Sequence, residues 1–137
     1  MRLLIWHVDR FRAEPTERGR SKVADSEPMT VAVEDALVVF AAAEQQDEGD
    51  PDAVAARAVT AIEDVAQRLG ARTIVLHSFA HLFVELSSPA TARAILNATE
   101  QRLTSDGYVV SQSAFGWFNR LELHAKGHPL SRVARQV

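Results

Sequence analysis

The stretch DPDAVAARAVTAIEDVAQRLGARTIVLHS, residues 50–78, predicts a helix followed by a buried strand. Asp50 is a favoured N-cap residue, and Pro51 suits the first helical position because its missing N–H costs no hydrogen bond there. Helical spacing is carried by Val54, Ala58, Ile62, Val65 and Leu69. Gly70 is a favoured helix stop, and the β-branched run 73–76 is typical of a buried strand. The stretch therefore places one helix directly before one strand of a sheet.

Two further strands are predicted before this unit. Residues 3–12 are apolar and then partly alternating, and Met29–Ala43 has the β-branched density of a buried strand. Residues 13–28 between them are polar and contain Pro15 and Gly19, which predicts a long loop or a frayed extension. The charges of this loop include Glu14, Glu17, Arg18, Arg20 and Lys22. A long loop inside a compact domain is often functional.

The second half of the chain adds a helix and two strands. The helix is predicted from Ser88–Pro89 to a point before Gly107, and a strand follows at 108–110. Asn119–Ala125 alternates apolar and polar residues and forms the next strand. Ser113–Gly116 is the expected hairpin turn between these two strands.

The predicted order is β-β-α-β-α-β-β, and Pro129 is expected to open a short C-terminal helix. This order favours an α+β fold with a largely antiparallel sheet and two packed helices. The 137 residues, 47% of them hydrophobic, fit a single domain spanning residues 1–137. Because cysteine is absent, disulfides, thiolate zinc sites and thiol nucleophiles are excluded.

A cytoplasmic protein without a membrane partner is expected. No apolar run approaches the ~20 residues of a membrane span, and the apolar start Met1–Trp6 is too short for a signal peptide. The formal charge of −3 disfavours binding along a phosphate backbone. The charge is uneven, however, since residues 44–64 hold seven acids and one base, whereas residues 115–137 hold four bases and one acid.

Histidines and serines give weak signals for metal binding or nucleophilic catalysis. The pairs His77/His81 and His124/His128 have the four-residue spacing of helical metal ligands, but no helix is predicted at either pair. No serine lies in a Gly-x-Ser-x-Gly motif, so a Ser–His–Asp grouping would have to assemble from distant positions. Both stay open as alternatives to a site that has neither metal nor cofactor.

Polar and aromatic residues at strand ends are better candidates for a site. His7 and Asp9 share one face of the first strand, since side chains two apart point the same way. Residues 77–81 follow the third strand, residues 115–118 group three aromatics around a glycine, and residues 126–129 add a cation and a turn. Aromatics beside cations favour the stacking of one exposed base and the binding of its phosphate. Core packing of the aromatics is the alternative.

Taken in order, these residues resemble the amino-terminal editing domain of archaeal threonyl-tRNA synthetases, which is similar in fold to D-aminoacyl-tRNA deacylases. The resemblance covers essentially the whole chain. It is carried by Met1-Arg2-Leu3-Leu4 with His7 and Asp9, Phe79-Ala80-His81-Leu82 with Glu85-Leu86, Ile95-Leu96-Asn97, Phe115-Gly116 and Lys126-Gly127-His128-Pro129-Leu130. No single motif is decisive, but the ordered set is specific.

The resemblance implies hydrolysis of the ester that joins a wrongly attached serine to the 3′-terminal adenosine of tRNA(Thr), with threonyl-tRNA spared. A synthetic site built for threonine cannot strongly reject serine, because one methyl group is worth only ~1–3 kcal/mol. The implied chemistry is attack by water, assisted by the 2′-hydroxyl of the tRNA, without a cofactor or a metal.

The resemblance also implies the site residues, between the first strands and the loop after the third. The aminoacyl side would be lined by Ala43, Glu44, Ser78, Phe79, Ala80 and His81. The adenosine side would be lined by Phe115, Gly116, Trp117 and Phe118. Further substrate contacts are expected from His7, Lys126 and His128, and catalytic roles from His81, Phe118 and Asn119.

The chain departs from the family pattern Phe-Gly-Tyr-Tyr-Lys, since it has Phe115-Gly116-Trp117-Phe118-Asn119. The family's lysine is replaced by Asn119 and a tyrosine hydroxyl is missing at Phe118. We therefore expect the RNA rather than these side chains to supply the chemistry. A D-aminoacyl-tRNA deacylase and a tRNA-end-binding module with weak turnover are the alternatives.

Partners follow from the same resemblance. A separate or fused threonyl-tRNA synthetase catalytic domain is expected, because 137 residues contain no adenylating or anticodon-binding domain. A homodimer is expected, with Met29–Ala43 as the candidate pairing strand. The basic segment Phe115–Val137 is expected to provide the edge that receives the terminal nucleotide.

Overall fold

A computed structural model describes residues 1–82 and 85–137 of the chain. Six strands and two helices follow one another as β1 (Arg2–Arg18), β2 (Val31–Ala42), α1 (Pro51–Leu69), β3 (Thr73–Ser78), α2 (Pro89–Ser105), β4 (Val109–Gln112), β5 (Trp117–Ala125) and β6 (Arg132–Gln136). Short 3-10 turns lie at Gln45–Gly49 and Ala80–Leu82. Within the described ranges, no helix is long and apolar enough to span a membrane.

The strands form one mixed sheet in the order β4-β3-β2-β1-β5, with β6 also paired to β1. β1 is antiparallel to β2, β5 and β6, whereas the β2–β3 and β3–β4 pairs are parallel. One edge of β1 is occupied by β2. The other edge carries β6 over residues 2–6 and β5 over residues 8–18. The predicted α+β fold with a mostly antiparallel sheet and two helices is confirmed.

The helix boundaries lie where the sequence predicts them. The Asp50 carboxylate accepts a hydrogen bond from the Ala53 N–H at 3.0 Å, and Gly70 ends α1 in the left-handed region at φ 65°. Ser88 caps α2 in the same way through the N–H of Thr91. An N-cap side chain of this kind stabilises a helix by about 1 kcal/mol.

Two apolar clusters lie on opposite faces of the sheet. The helices pack on one face, where Leu37, Ile62 and Ile74 are fully buried. The opposite face carries a second cluster that includes Phe11 and Val38 and whose fully buried residues all lie on strands. Each of these large side chains contributes about 1.5–3 kcal/mol by burial. The sheet is thus apolar on both faces, which fixes its register.

Three local predictions are wrong. β1 continues to Arg18 through part of the predicted loop, because β5 pairs with it as far as Trp117↔Arg18. Ser113–Gly116 is not a hairpin turn, since β4 and β5 lie at opposite edges of the sheet. The segment after Pro129 is a turn followed by β6, not a helix, because residues 132–136 pair with the start of β1.

The candidate dimer strand also has a different place. β2 lies inside the sheet between β1 and β3, and its residues 36–41 are paired on both sides. This part of the predicted Met29–Ala43 strand has no free edge for a second copy.

Candidate active site

A two-lobed cavity opens where the parallel strands β2 and β3 end. The inner lobe has a volume of about 190 Å³ and is lined by Ser21, Ala41, Ala42, Ala43, Ser78, Ala80, Leu86, Ser87, Pro89, Ala92, Phe115 and Gly116. The outer lobe, of about 200 Å³, is lined by Gly19, Arg20, Ser21, Ser78, Ala80, His81, Ala114, Gly116, Trp117 and Phe118. Four residues belong to both lobes, so the lobes form one continuous groove. The carboxyl ends of parallel strands are a common place for a ligand site.

The inner lobe is lined mostly by small, uncharged side chains. Its walls are mostly alanine and serine, and its described lining contains no carboxylate, lysine, arginine or histidine. Backbone groups are therefore close to the space, because small side chains leave the main chain accessible. Such a lobe suits a small group that is held by main-chain hydrogen bonds.

One wall of the groove is made by residues 19–25, which we call the strap. It crosses residues 115–117, where the Gly19 N–H donates to the Gly116 carbonyl at 2.8 Å and the Asp25 N–H donates to the Phe115 carbonyl at 3.0 Å. The indole N–H of Trp117 donates to the Asp25 carbonyl at 2.8 Å. The strap and the segment that follows β4 therefore hold each other in place.

The Asp25 side chain strengthens this junction. Its carboxylate accepts a hydrogen bond from the Phe115 N–H at 2.8 Å and forms an ion pair with Arg93 of α2. The Arg93 guanidinium also lies over the Phe115 ring, 5.3 Å from its centroid. One carboxylate thus connects the strap, a cavity wall and α2.

Gly116 lies where the strap comes closest. Its φ of 75° is left-handed, and a Cβ at this position would lie 2.6 Å from the Cβ of Ala24. Only glycine fits both the backbone conformation and the space.

Behind the groove, His77 and Ser113 form a buried pair with 2.6 Å between Nδ1 and Oγ. Burial, with a smaller contribution from the charge of His81, lowers the pKa of His77 to about 4. Both side chains are at most 5% exposed and neither lines a lobe. The pair therefore connects β3 to the segment after β4 and is closed to a substrate.

The structure brings most of the predicted site residues to the groove. The inner lobe is lined by Ala43 and Phe115, and the outer lobe is lined by His81, Trp117 and Phe118. Both lobes share Ser78, Ala80 and Gly116. His81 is exposed and its ring packs edge-on against Phe79, with 5.6 Å between the centroids.

The side chains of Phe79 and Glu44 do not line the groove. The Phe79 ring packs against Phe40 in the second apolar cluster rather than lining either lobe. The carboxylate of Glu44 is bound by the guanidinium of Arg2 at 3.0 Å and lies near the Met1 amino group, at the amino end of β1. Neither side chain lines the groove, although their neighbours Ala43 and Ala80 do.

Asn119 closes the turn that precedes β5. Its side-chain amide donates to the Trp117 carbonyl at 3.0 Å and more weakly to the Ala114 carbonyl at 3.4 Å. Neither lobe includes it. Phe118 is 55% exposed at the mouth of the outer lobe.

His7, Lys126 and His128 form a separate cluster. His7 Nδ1 lies 2.9 Å from His128 Nε2, and the Lys126 ammonium contacts Asp9 at 2.7 Å and Asp35 at 3.0 Å. The hydrogen bond from Lys126 lowers the pKa of Asp35, and burial lowers the pKa of His7. This cluster connects β1, β2 and the β5–β6 turn.

The β5 register separates this cluster from the groove. Ala125 pairs with Val8 and Trp117 pairs with Arg18, so eight residue-to-residue steps along β5 separate the two sites. At about 3.3 Å per residue they are about 26 Å apart. The three residues of the cluster therefore do not join the groove.

The histidine pairs with four-residue spacing do not converge. His77 bonds to Ser113 inside the core, whereas His81 faces the outer lobe. His124 lies beside Arg10 and His128 beside His7. In residues 1–82 and 85–137, no three His, Cys, Asp or Glu side chains are placed to hold a metal ion.

Comparison with known proteins places the chain in a family. The model of the archaea-specific editing domain of threonyl-tRNA synthetase matches residues 1–137. The chain belongs to this editing-domain family. The threonine–tRNA ligases of Methanopyrus kandleri, Methanosphaerula palustris and Methanocaldococcus jannaschii are 45%, 40% and 37% identical to it. Each match covers 100% of this chain and 22% of the relative, so the editing-domain chain spans about a fifth of these ligases.

A solved structure has the same fold. The c-Myc DNA Unwinding Element Binding Protein superposes with a TM-score of 0.70 over 100% of this chain and 99% of that one, at 13% identity. The D-aminoacyl-tRNA deacylase-like fold class predicted from the sequence is confirmed. The family is that of an editing domain of threonyl-tRNA synthetase, and the solved structure adds the fold.

Several groove residues were not predicted from the sequence. The strap residues Gly19, Ser21 and Asp25 lie in a segment whose length and charge indicated function without naming contacts. Arg93 and Ala92 are at helical positions on α2 and carry no local signal of a site.

Proposed function

We propose that this editing domain hydrolyses L-seryl-tRNA(Thr) and spares L-threonyl-tRNA(Thr). The observation that carries the proposal is the two-lobed groove, whose inner lobe, lined mostly by alanine and serine, suits a seryl group and whose aromatic outer lobe suits a terminal adenosine. An additional methyl group would meet alanine walls in the inner lobe. A contact of that size supports discrimination of about 10- to 200-fold.

The lining of the groove favours attack by water with help from the RNA. The inner lobe offers no side-chain base among its described residues, so the ester would be held by main-chain groups. The 2′-hydroxyl next to the ester then assists the water, as the resemblance to the family implies. On the outer lobe, His81 is the one imidazole among the described lining residues, and its ring nitrogens can donate or accept a hydrogen bond. We assign to it the orientation of the water or of the 2′-hydroxyl.

A deacylation assay tests this function directly. The purified chain is incubated with L-seryl, L-threonyl and D-aminoacyl esters of the same tRNA, with a protein-free reaction as the control. Fastest release of L-serine supports the proposal. Faster release of the D-amino acid would instead make the protein a D-aminoacyl-tRNA deacylase, and binding without release would make it an RNA-end-binding module.

Replacing Asn119 by alanine is expected to lower the deacylation kcat/KM less than tenfold, which corresponds to about 1.4 kcal/mol in the barrier. The reason is that its amide bonds to the turn carbonyls of Ala114 and Trp117 and lines neither lobe. Single-turnover rates with seryl-tRNA measure the effect. A loss of a thousandfold or more would show that Asn119 does take the role of the family's lysine.

The partners are proposed on the same basis. We propose that residues 1–137 act as one editing domain in the cytoplasm, together with a threonyl-tRNA synthetase catalytic domain, in the same chain or separate. A homodimer is also proposed. β4 and β5 lie at the two ends of the described sheet, so their outer edges are the candidate positions for a second copy.

A further inference from the structure

Exposed and partly buried residues alternate where β1 ends and the strap begins. Gly19 and Ser21 are partly buried and line the groove, whereas Arg18, Arg20 and Lys22 are exposed. Arg20 reaches the edge of the outer lobe. Arg20 therefore borders the groove where β1 leaves the sheet, and Arg18 and Lys22 lie two positions before and after it in the sequence.

These cations are available for a ligand. Within the part of the chain that the structure describes, no acidic side chain forms an ion pair with any of the three. Asp25, the acid nearest to them along the strap, is already occupied by Arg93. An exposed group of like charges without acidic partners attracts anions.

Most of the C-terminal cations, by contrast, already have partners. Lys126 contacts Asp9 and Asp35, and Arg135 contacts Asp64. Arg132 lies over the Trp6 ring. Three of the four cations in Phe115–Val137 are thus engaged within the protein, which makes Arg18, Arg20 and Lys22 the stronger candidates for a ligand.

We infer that Arg18, Arg20 and Lys22 bind the phosphates of the single-stranded RNA end that leads to the terminal nucleoside. The inference rests on the proposed function. A nucleoside in the outer lobe would have its 5′-phosphate at the mouth, where Arg20 and the exposed Phe118 lie. Cations that follow the backbone, beside an aromatic on which a base stacks, are the usual means of holding a single strand. Arginine suits phosphate because its planar guanidinium donates two parallel hydrogen bonds.

The test compares two substrates that differ only in the phosphates. Arg18→Ala, Lys22→Ala and the double variant are assayed on seryl-tRNA and on the seryl ester of adenosine, which has no phosphate. For seryl-tRNA, kcat/KM is expected to fall about tenfold for each cation removed, and the dependence of log kcat/KM on log salt is expected to become shallower by about one for each cation. Hydrolysis of the adenosine ester is expected to stay within about twofold. Arg57→Ala, at an exposed position of α1, is the matched control and should change neither substrate.

Each other outcome contradicts the inference. Equal losses on both substrates would mean that the variants distort the groove, and no loss on either would mean that the cations do not contact RNA. If the wild-type chain hydrolyses neither ester, the proposed function fails separately. Binding of uncharged tRNA by the same variants, measured against salt, then still decides whether the strap holds RNA phosphates.

Discussion

Replacing Gly116 by alanine is expected to lower the deacylation kcat/KM at least about a hundredfold, the effect of displacing bound groups by about 1 Å. The new Cβ would lie 2.6 Å from the Cβ of Ala24 and 2.8 Å from its Cα, so the strap must move away. Gly116 lines both lobes, and the movement therefore changes the shape of the whole groove. The free energy of unfolding should fall by about 1–3 kcal/mol, as overpacking does elsewhere.

The Gly107→Ala variant separates the effect of the steric contact between position 116 and Ala24 from the effect of backbone strain. Gly107 also has a positive φ, 92°, but nothing lies within 4 Å of its Cβ position. It should lose about 1–2 kcal/mol of stability through strain alone and keep its deacylation rate. Rates on seryl-tRNA and urea unfolding curves measure both effects. A Gly116→Ala protein with unchanged kcat/KM would show that the strap does not shape the substrate site.

The stability of the protein is expected to fall by about 3 kcal/mol between pH 6.5 and pH 4 because of His77 alone. Its pKa is about 4 in the folded protein and 6.5 in the unfolded chain. Below pH 6.5 the unfolded chain is protonated at His77, whereas His77 of the folded protein stays neutral until the pH approaches 4. Each pH unit therefore costs about 1.4 kcal/mol, until the folded protein is protonated as well.

Urea unfolding at pH 7 and pH 5 tests this dependence. From His77, the wild-type chain should lose about 2 kcal/mol over this interval. His77→Asn should be less stable at pH 7, because the bond to Ser113 changes, but should show a smaller loss on acidification. His124→Asn, at an exposed position, should keep the wild-type loss. Equal losses in the wild type and in His77→Asn would contradict the assignment.

The helices could be predicted because their signals are local. Asp50 with Pro51 and Gly70 define α1 within the segment itself. Strand pairing could not be predicted in the same way. Residues 109–112 could pair with residues 117–125 as a hairpin, but they pair instead with β3, and residues 117–125 pair with β1. Both partners come from distant parts of the chain. The turn at Ser113–Gly116 has hairpin composition, yet it crosses from one side of the sheet to the other.

The site was predictable where its residues are contiguous. The two segments that the sequence singled out, residues 78–81 and 115–118, contribute six of the ten described lining residues of the outer lobe. The Asp25–Arg93 ion pair joins residues 68 positions apart, and no local pattern indicates it. His7 and Asp9 do belong to one cluster, as their spacing predicts, but the length of β1 places that cluster far from the groove.

The pairing of β1 with β6 has a consequence for biosynthesis. Arg2 pairs with Gln136, so during synthesis β1 finds one of its neighbours only when β6 has emerged. Contacts between such distant positions form slowly, because a loop that contains all the other described strands must close first. Until then, the edge of β1 that β6 will cover is unpaired and open to other strands. The nascent chain is therefore most prone to misassociation just before residues 132–136 become available.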